Sequence, residues 1–227
     1  DNIYISGTGL WIPPHGITND ELMASYNAYV EKFNIENAKE IAAGSIEELS
    51  PSSSEFVEKA SGIKHRYVIE KDHALDPNFM KPLIPARDID ELSILAEIGV
   101  MAGKDAMENA NVTPDDVDAV IVSTANLQRA YPAIAIEIQN ELGIDGYGYD
   151  MMVACSSTTF GISNAMADIA AGKAETILVI NPEITTAHNN MKSRESHFIF
   201  GDVCTASVVQ KNSLSNNKFK ILDTKLK

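Results

Sequence analysis

Cysteine is scarce here: two residues in 227, Cys155 and Cys204, with no CxxC pair and no zinc-ligand spacing. That excludes a disulfide scaffold and leaves a structural metal unsupported. No metal and no cofactor is expected, and a reducing compartment, the cytoplasm, is the default. Long apolar runs are absent too. No stretch approaches the ~18 residues of a membrane span, and the opening DNIYISGTGLW has neither the basic nor the apolar region of a secretory signal. Basic residues are few: 18 Lys and Arg against 32 Asp and Glu give a formal charge of −14. Nucleic acid and anionic membrane need a basic footprint, so neither is an expected partner. The loose group Lys211, Lys218, Lys220, Lys225 and Lys227 reads as a solvated edge.

What is present suits one large domain or two small ones with a buried core. IYISGTGLW has strand character, and Thr18-Asn-Asp-Glu21 is a capping-box start for a helix through LMASYNAYVEKF. Residues 34–55 are polar, with a short helix near Asn37–Ala43. A helix ending at Gly62 precedes a short strand, and residues 71–90 read as a long loop with three prolines. From Asp90 the pattern turns regular. ELSILAEIGVMAGKDAMENANV has helical spacing, and Asp118–Thr124 is a near-continuous apolar run, as a strand buried on both faces requires. AIAIEIQNELGI, YGYDMMVA, SSTTFGISNAMADIAAG, TILVINPEI and FGDVCTASVVQ follow as helix, strand, helix, strand and strand. This alternation predicts an α/β fold, a mainly parallel sheet with helices on both faces.

DMMVACSSTTFG places Cys155 where an apolar strand stops and a small-residue helix starts. Strands of a parallel sheet deliver their C-terminal ends to the ligand edge. Unpaired N–H groups and the helix dipole there favour thiolate over thiol. Most free cysteines are instead small core residues. Position alone leaves the two readings about even.

Five segments, in order, carry a resemblance: ISGTGLWIP, ASGIKHRYV, VIVSTANLQRAYPAIAIEIQNELGI, DMMVACSSTTFGISNA and HFIFGDVCTASVV. Together they resemble the β-ketoacyl-[acyl-carrier-protein] synthase III family of thiolase-fold condensing enzymes, nearest its branch primed by medium-chain acyl-CoA to β-ketodecanoyl-type products. The resemblance implies the N-terminal βαβαβαββ half of a thiolase-like fold with a mixed, mainly parallel five-stranded sheet. One domain would span residues 1–227, with 27–54 and 71–90 as inserted segments bordering the acyl entrance. Cys155 would be acylated by acyl-CoA and then condensed with malonyl-carrier protein, in fatty acid biosynthesis. Arg194 would face the CoA nucleotide, Phe200 would lie beside the nucleophile, and Tyr131 would reach into the partner's acyl pocket across a homodimer.

The sequence also departs from that pattern. Phe56 and Ala60 stand where the family often has an adenine-gripping Trp and Arg, and Val203-Cys204 replaces Gly-Ala after F-G-D. Cys204 is read as core, His197 as a structural loop residue, and Gly201-Asp202 as a turn. The family's catalytic His and Asn have no counterpart here. His188-Asn189-Asn190 lacks the right context, as do His15, His65 and His73. The C-terminal half is expected to lie outside this chain, which alone would hold the nucleophile without the groups that drive decarboxylation. The alternatives are a non-catalytic acyl or carrier-protein binding module, or a thiolase or hydroxymethylglutaryl-CoA synthase relative.

Overall fold

In chain order the strands are β1 (Ile3–Trp11), β2 (His15–Thr18), β3 (His65–Val68), β4 (Ala119–Thr124), β5 (Tyr147–Met152), β6 (Thr176–Ile184), β7 (Asp202–Lys211) and β8 (Phe219–Lys220). The helices are α1 (Asn19–Glu36), α2 (Ala38–Ala42), α3 (Ser54–Ser61), α4 (Asp72–Leu75), α5 (Ile94–Ala110), α6 (Ile134–Leu142) and α7 (Ser157–Ala170). The computed structural model describes residues 2–213, 215–216 and 218–226; Lys227, at the end of the expected basic edge, lies outside them. The chain divides into two units. The first holds Arg87–Glu183 with the stretches before Pro13 and after Asp202; the second holds Pro13–Ala86 and Ile184–Asp202.

The first unit is built on a mixed sheet in the order β5-β4-β6-β7-β1-β8. Two-residue β8 adds a sixth strand to the five expected. β4 runs parallel to both β5 and β6, while β1 is antiparallel to β7 and β8. Every residue of β4 is buried, which explains its unbroken apolar run. On one face Ala119, Ile121, Ile177 and Val179 pack against Ala165 and Ile169 of α7. Each large side chain so buried contributes about 1.5–3 kcal/mol.

The other face meets α5 through small residues. A β-carbon on Gly9 would fall 2.0 Å from the Ala102 carbonyl oxygen, and one on Gly7 would fall 2.5 Å from that of Ala106. Only glycine admits so close a helix. In β1 the register slips at Ser6, between Ile5 and Gly7. That bulge reverses the side-chain alternation, so Ile3 joins the α7-side core while Gly7 and Gly9 face α5.

The second unit pairs β2 with β3 antiparallel and leads into α1 through the expected capping box. Glu21 N donates to Thr18 Oγ1 at 3.2 Å, and Thr18 N donates to Glu21 Oε2 at 2.9 Å. Two apolar clusters hold it. One joins Ile17, Leu22, Met23, Val57, Val68 and Phe198; the other joins Tyr26, Val30, Ala74, Met80 and Met191. Part of the expected loop 71–90 is thus core: α4 buries Ala74, and Met80 follows. A four-residue helix is too short to show a period. The arginine of ASGIKHRYV, Arg66, is buried and donates to Ile17 O at 3.2 Å and Asn19 Oδ1 at 2.6 Å, tying β3 to the start of α1.

Candidate functional site

β4 and β5 end level, Thr124 beside Met152, at the C-terminal edge of the parallel strands. Cys155 follows three residues later. It lies in a 3-10 turn, Ala154–Ser156, between the end of β5 and the start of α7. Ala154 takes φ +47°, a left-handed conformation that costs an alanine on the order of 1–3 kcal/mol unless its surroundings enforce it. The Cys155 side chain is exposed, whereas Cys204 is fully buried in β7. Burial pushes the Cys204 thiol far up, with Glu183 adding to the effect. Cys204 is therefore the core thiol, and Cys155 is the thiol a reagent can reach.

Ser157 enforces the turn. Its hydroxyl accepts from Val153 N at 3.0 Å and donates to Thr124 O at 3.0 Å, joining both strand ends to the start of α7. Close packing of α7 adds to this: a β-carbon on Gly161 would stand 2.9 Å from Val179 Cγ1 and 3.1 Å from Ser123 Cβ. The role of Ser157 is invisible in the sequence, where it is one of four small polar residues after the cysteine. Ser156, the residue that precedes α7, makes no side-chain cap bond to it.

Asp150, within β5, accepts from Ile134 N and Ala135 N at 2.8 Å each and so caps α6 from the neighbouring strand. Burial raises its carboxyl and these two donors pull it back down. A lone carboxylate inside the apolar run YGYDMMVA was the available signal. Before α6, the Tyr131–Pro132 peptide is cis and Tyr131 is 84% exposed. Arg129 anchors this loop, donating to Glu91 O at 3.0 Å and to Ile89 O at 3.3 Å, and it approaches Glu137 at 3.6 Å. The exposure of Tyr131 suits a residue that reaches outward.

Of the predicted site residues, Cys155 and Tyr131 belong to the first unit, Arg194 and Phe200 to the second. Arg194 lies with its guanidinium 4.5 Å above the Phe56 ring, and its Nε donates to Pro51 O at 3.2 Å. Phe200 is 40% exposed and is not a core aromatic. Gly201 is required by a close approach, since a β-carbon there would be 2.8 Å from Tyr67 O. Asp202, read as part of a turn, is a buried anchor. It accepts from Ile69 N at 2.9 Å, Thr186 N at 2.9 Å and Thr186 Oγ1 at 2.7 Å. Burial raises its carboxyl against these bonds.

His197 is buried edge-on to Tyr26, ring centroids 4.6 Å apart, with Nδ1 3.2 Å from Met191 O. That is a packed structural residue, as its place in the sequence suggested. His188 is exposed and Asn189 bonds to His197 O, an arrangement local to the loop. Among the described residues no group of three or more His, Cys, Asp or Glu is placed to hold a metal ion. No helix among them is long and apolar enough to cross a membrane.

A family model described as 3-Oxoacyl-[acyl-carrier-protein (ACP)] synthase III matches residues 149–227, the stretch from β5 onward that contains Cys155. The chain is 52% identical over 206 residues to a Beta-ketodecanoyl-[acyl-carrier-protein] synthase of Pseudomonas aeruginosa, covering 90% of this chain and 59% of that protein. It is 26% identical over 224 residues to a Beta-ketoacyl-[acyl-carrier-protein] synthase III of Granulibacter bethesdensis, 98% of this chain and 56% of that one. The crystal structure of 3-oxoacyl-[acyl-carrier-protein] synthase III from Aquifex aeolicus superposes with a TM-score of 0.70 at 23% identity, over 93% of this chain and 54% of that chain. The chain thus spans little more than half the length of these two relatives.

Proposed function

We propose that the chain belongs to the 3-oxoacyl-[acyl-carrier-protein] synthase III family, that the protein is a condensing enzyme of fatty acid biosynthesis, and that this chain supplies its acyl-accepting cysteine. The observation that carries the reading is Cys155 itself, an exposed thiol in a 3-10 turn that follows left-handed Ala154, at the C-terminal edge of β4 and β5. Its thiolate attacks the thioester carbonyl of an acyl-CoA of medium chain length. A new C–S bond forms, the old one breaks, and CoA leaves as a thiolate that takes up a proton. The Cys155 backbone N–H is the assigned donor to the tetrahedral oxyanion. Malonyl-carrier protein then loses CO2, its carbanion attacks the acyl-cysteine carbonyl, and Cys155 is released. The product is a β-ketoacyl-carrier protein two carbons longer. To this chain we assign the acyl-transfer step.

Arg194, with Phe56 beneath it, is the proposed contact for the phosphate and nucleotide end of the donor. Phe200 and Tyr131 are proposed to border the acyl chain, Tyr131 from across a homodimer. The dimer reading is supported by β5, which among the described residues pairs with β4 alone, and by Ile136, Tyr147 and Met152, which expose apolar surface on it and on α6. An unpaired edge beside apolar surface invites a second copy. A cytoplasmic location agrees with a substrate pair of water-soluble thioesters.

The test is intact mass after incubation of the full-length protein with octanoyl-CoA. One octanoyl group should add to the wild type and none to C155A. An adduct that survives C155A would overturn the assignment of the nucleophile. An acylated protein that releases no CO2 from malonyl-carrier protein would overturn the decarboxylative second step.

A further inference from the structure

Two asparagines of α1 hold residues 49–52 by reciprocal amide pairs. Asn27 Nδ2 donates to Ser52 O at 3.0 Å, and Ser52 N donates back to Asn27 Oδ1 at 2.9 Å. Asn34 does the same with Leu49, at 2.9 Å and 3.0 Å. Seven residues apart, the two lie on one helix face. A carboxamide has one acceptor and two donors, so each behaves like a step of a sheet ladder.

The Asn27 step is next to everything that holds Arg194. Pro51 O, which accepts from Arg194 Nε, is the carbonyl immediately before Ser52. Ser53, immediately after, caps α3 by accepting from Phe56 N at 3.2 Å. Phe56 lies beneath the guanidinium. Nε and the Phe56 contact fix the head of Arg194, and among the described residues neither Nη nitrogen makes a hydrogen bond, so these two nitrogens are assigned to a ligand's phosphate. Asn34 clamps only the far end of the stretch.

We propose that Asn27 is a positioning residue for Arg194, setting through Ser52 the orientation of Pro51 O and of Phe56, and so the grip on the nucleotide end of the acyl donor. This rests on the reading of Arg194 given above. It predicts a division of labour that a merely structural asparagine would not show. Removing either amide pair lowers stability similarly, while only Asn27 affects recognition of the nucleotide.

The experiment measures KM and kcat of the full-length protein with octanoyl-CoA and with octanoyl-pantetheine, which lacks the nucleotide. N27A should raise KM for octanoyl-CoA about threefold to tenfold with kcat little changed, and should leave KM for octanoyl-pantetheine where it was. N34A should melt lower to a similar extent and move neither KM. R194A should raise KM for octanoyl-CoA about tenfold or more. If R194A leaves KM unchanged, the reading of Arg194 fails. If R194A raises it and N27A does not, or N34A raises it as much as N27A, the positioning inference fails and the reading of Arg194 stands. Should N27A yield no soluble protein, the isosteric N27D carries the test, since it sets a carboxylate oxygen against Ser52 O.

Discussion

The hydroxyl of Ser157 donates to the carbonyl oxygen of Thr124 at 3.0 Å while accepting from Val153 N at the same distance. Ser157 is 2% exposed, so water cannot replace either bond. S157A should therefore cost about 1–3 kcal/mol in chemical denaturation. It should also slow acylation of Cys155, because the turn bearing the cysteine loses its tie to both strands. Unchanged stability and unchanged labelling would show that the turn holds itself.

The two thiols offer a direct contrast. Iodoacetamide on the folded protein should modify Cys155 and leave Cys204 intact, and denaturant should open both to reaction. Peptide mapping reads the outcome. Modification of Cys204 at a comparable rate in the folded protein would contradict its placement in β7.

Asp150 reaches from β5 to two N–H groups of α6, and an asparagine there keeps one acceptor where two are needed. D150N should lose about 1–3 kcal/mol. Because α6 begins two residues after Pro132, the loop bearing Tyr131 should also become easier to cleave by limited proteolysis. Cleavage at wild-type rate would detach Asp150 from the presentation of Tyr131.

His197 supplies a pH dependence with a definite sign. Burial lowers its pKa from 6.5 to about 4; the bond to Met191 O opposes this, and Arg66 and Arg194 add to the lowering. The unfolded chain takes up a proton near pH 6.5 and the folded chain only near 4, so the unfolded state binds more protons between them. Stability should be full above about pH 6.5, fall as pH drops toward about 4, and lose on the order of 3 kcal/mol across that window. H197Q should remove this slope from urea melts taken through the window. A slope that persists in H197Q would assign it to another group.

Long periodic or unbroken segments are legible in the chain's own residue pattern. α5 and the buried β4 follow from their apolar spacing, α1 from Thr18 and Glu21, and the end of α3 from Gly62, which adopts φ +74°. The position of Cys155 at a strand end is legible for the same reason, since an apolar run stops there. Two short elements are not: β2 and α4 have four residues each, too few for a period to stand out, whereas the equally short β3 is announced by the helix-ending Gly62 before it. The Ser6 bulge leaves no mark, because register depends on the partner strand, some 200 residues away.

Composition and local pattern were thus enough to establish an α/β chain with a candidate nucleophile, because burial imposes periodicity and turns demand particular residues. They left open whether Cys155 was core or reactive. Tertiary structure removed the core reading by exposing Cys155 and burying Cys204, and it drew Ser157, Thr124 and Val153 together around the turn. It also assembled Arg194 on Phe56 and clamped 49–52 to α1 through Asn27. Each of these depends on distance in space between residues far apart in the chain, a quantity that no local pattern encodes.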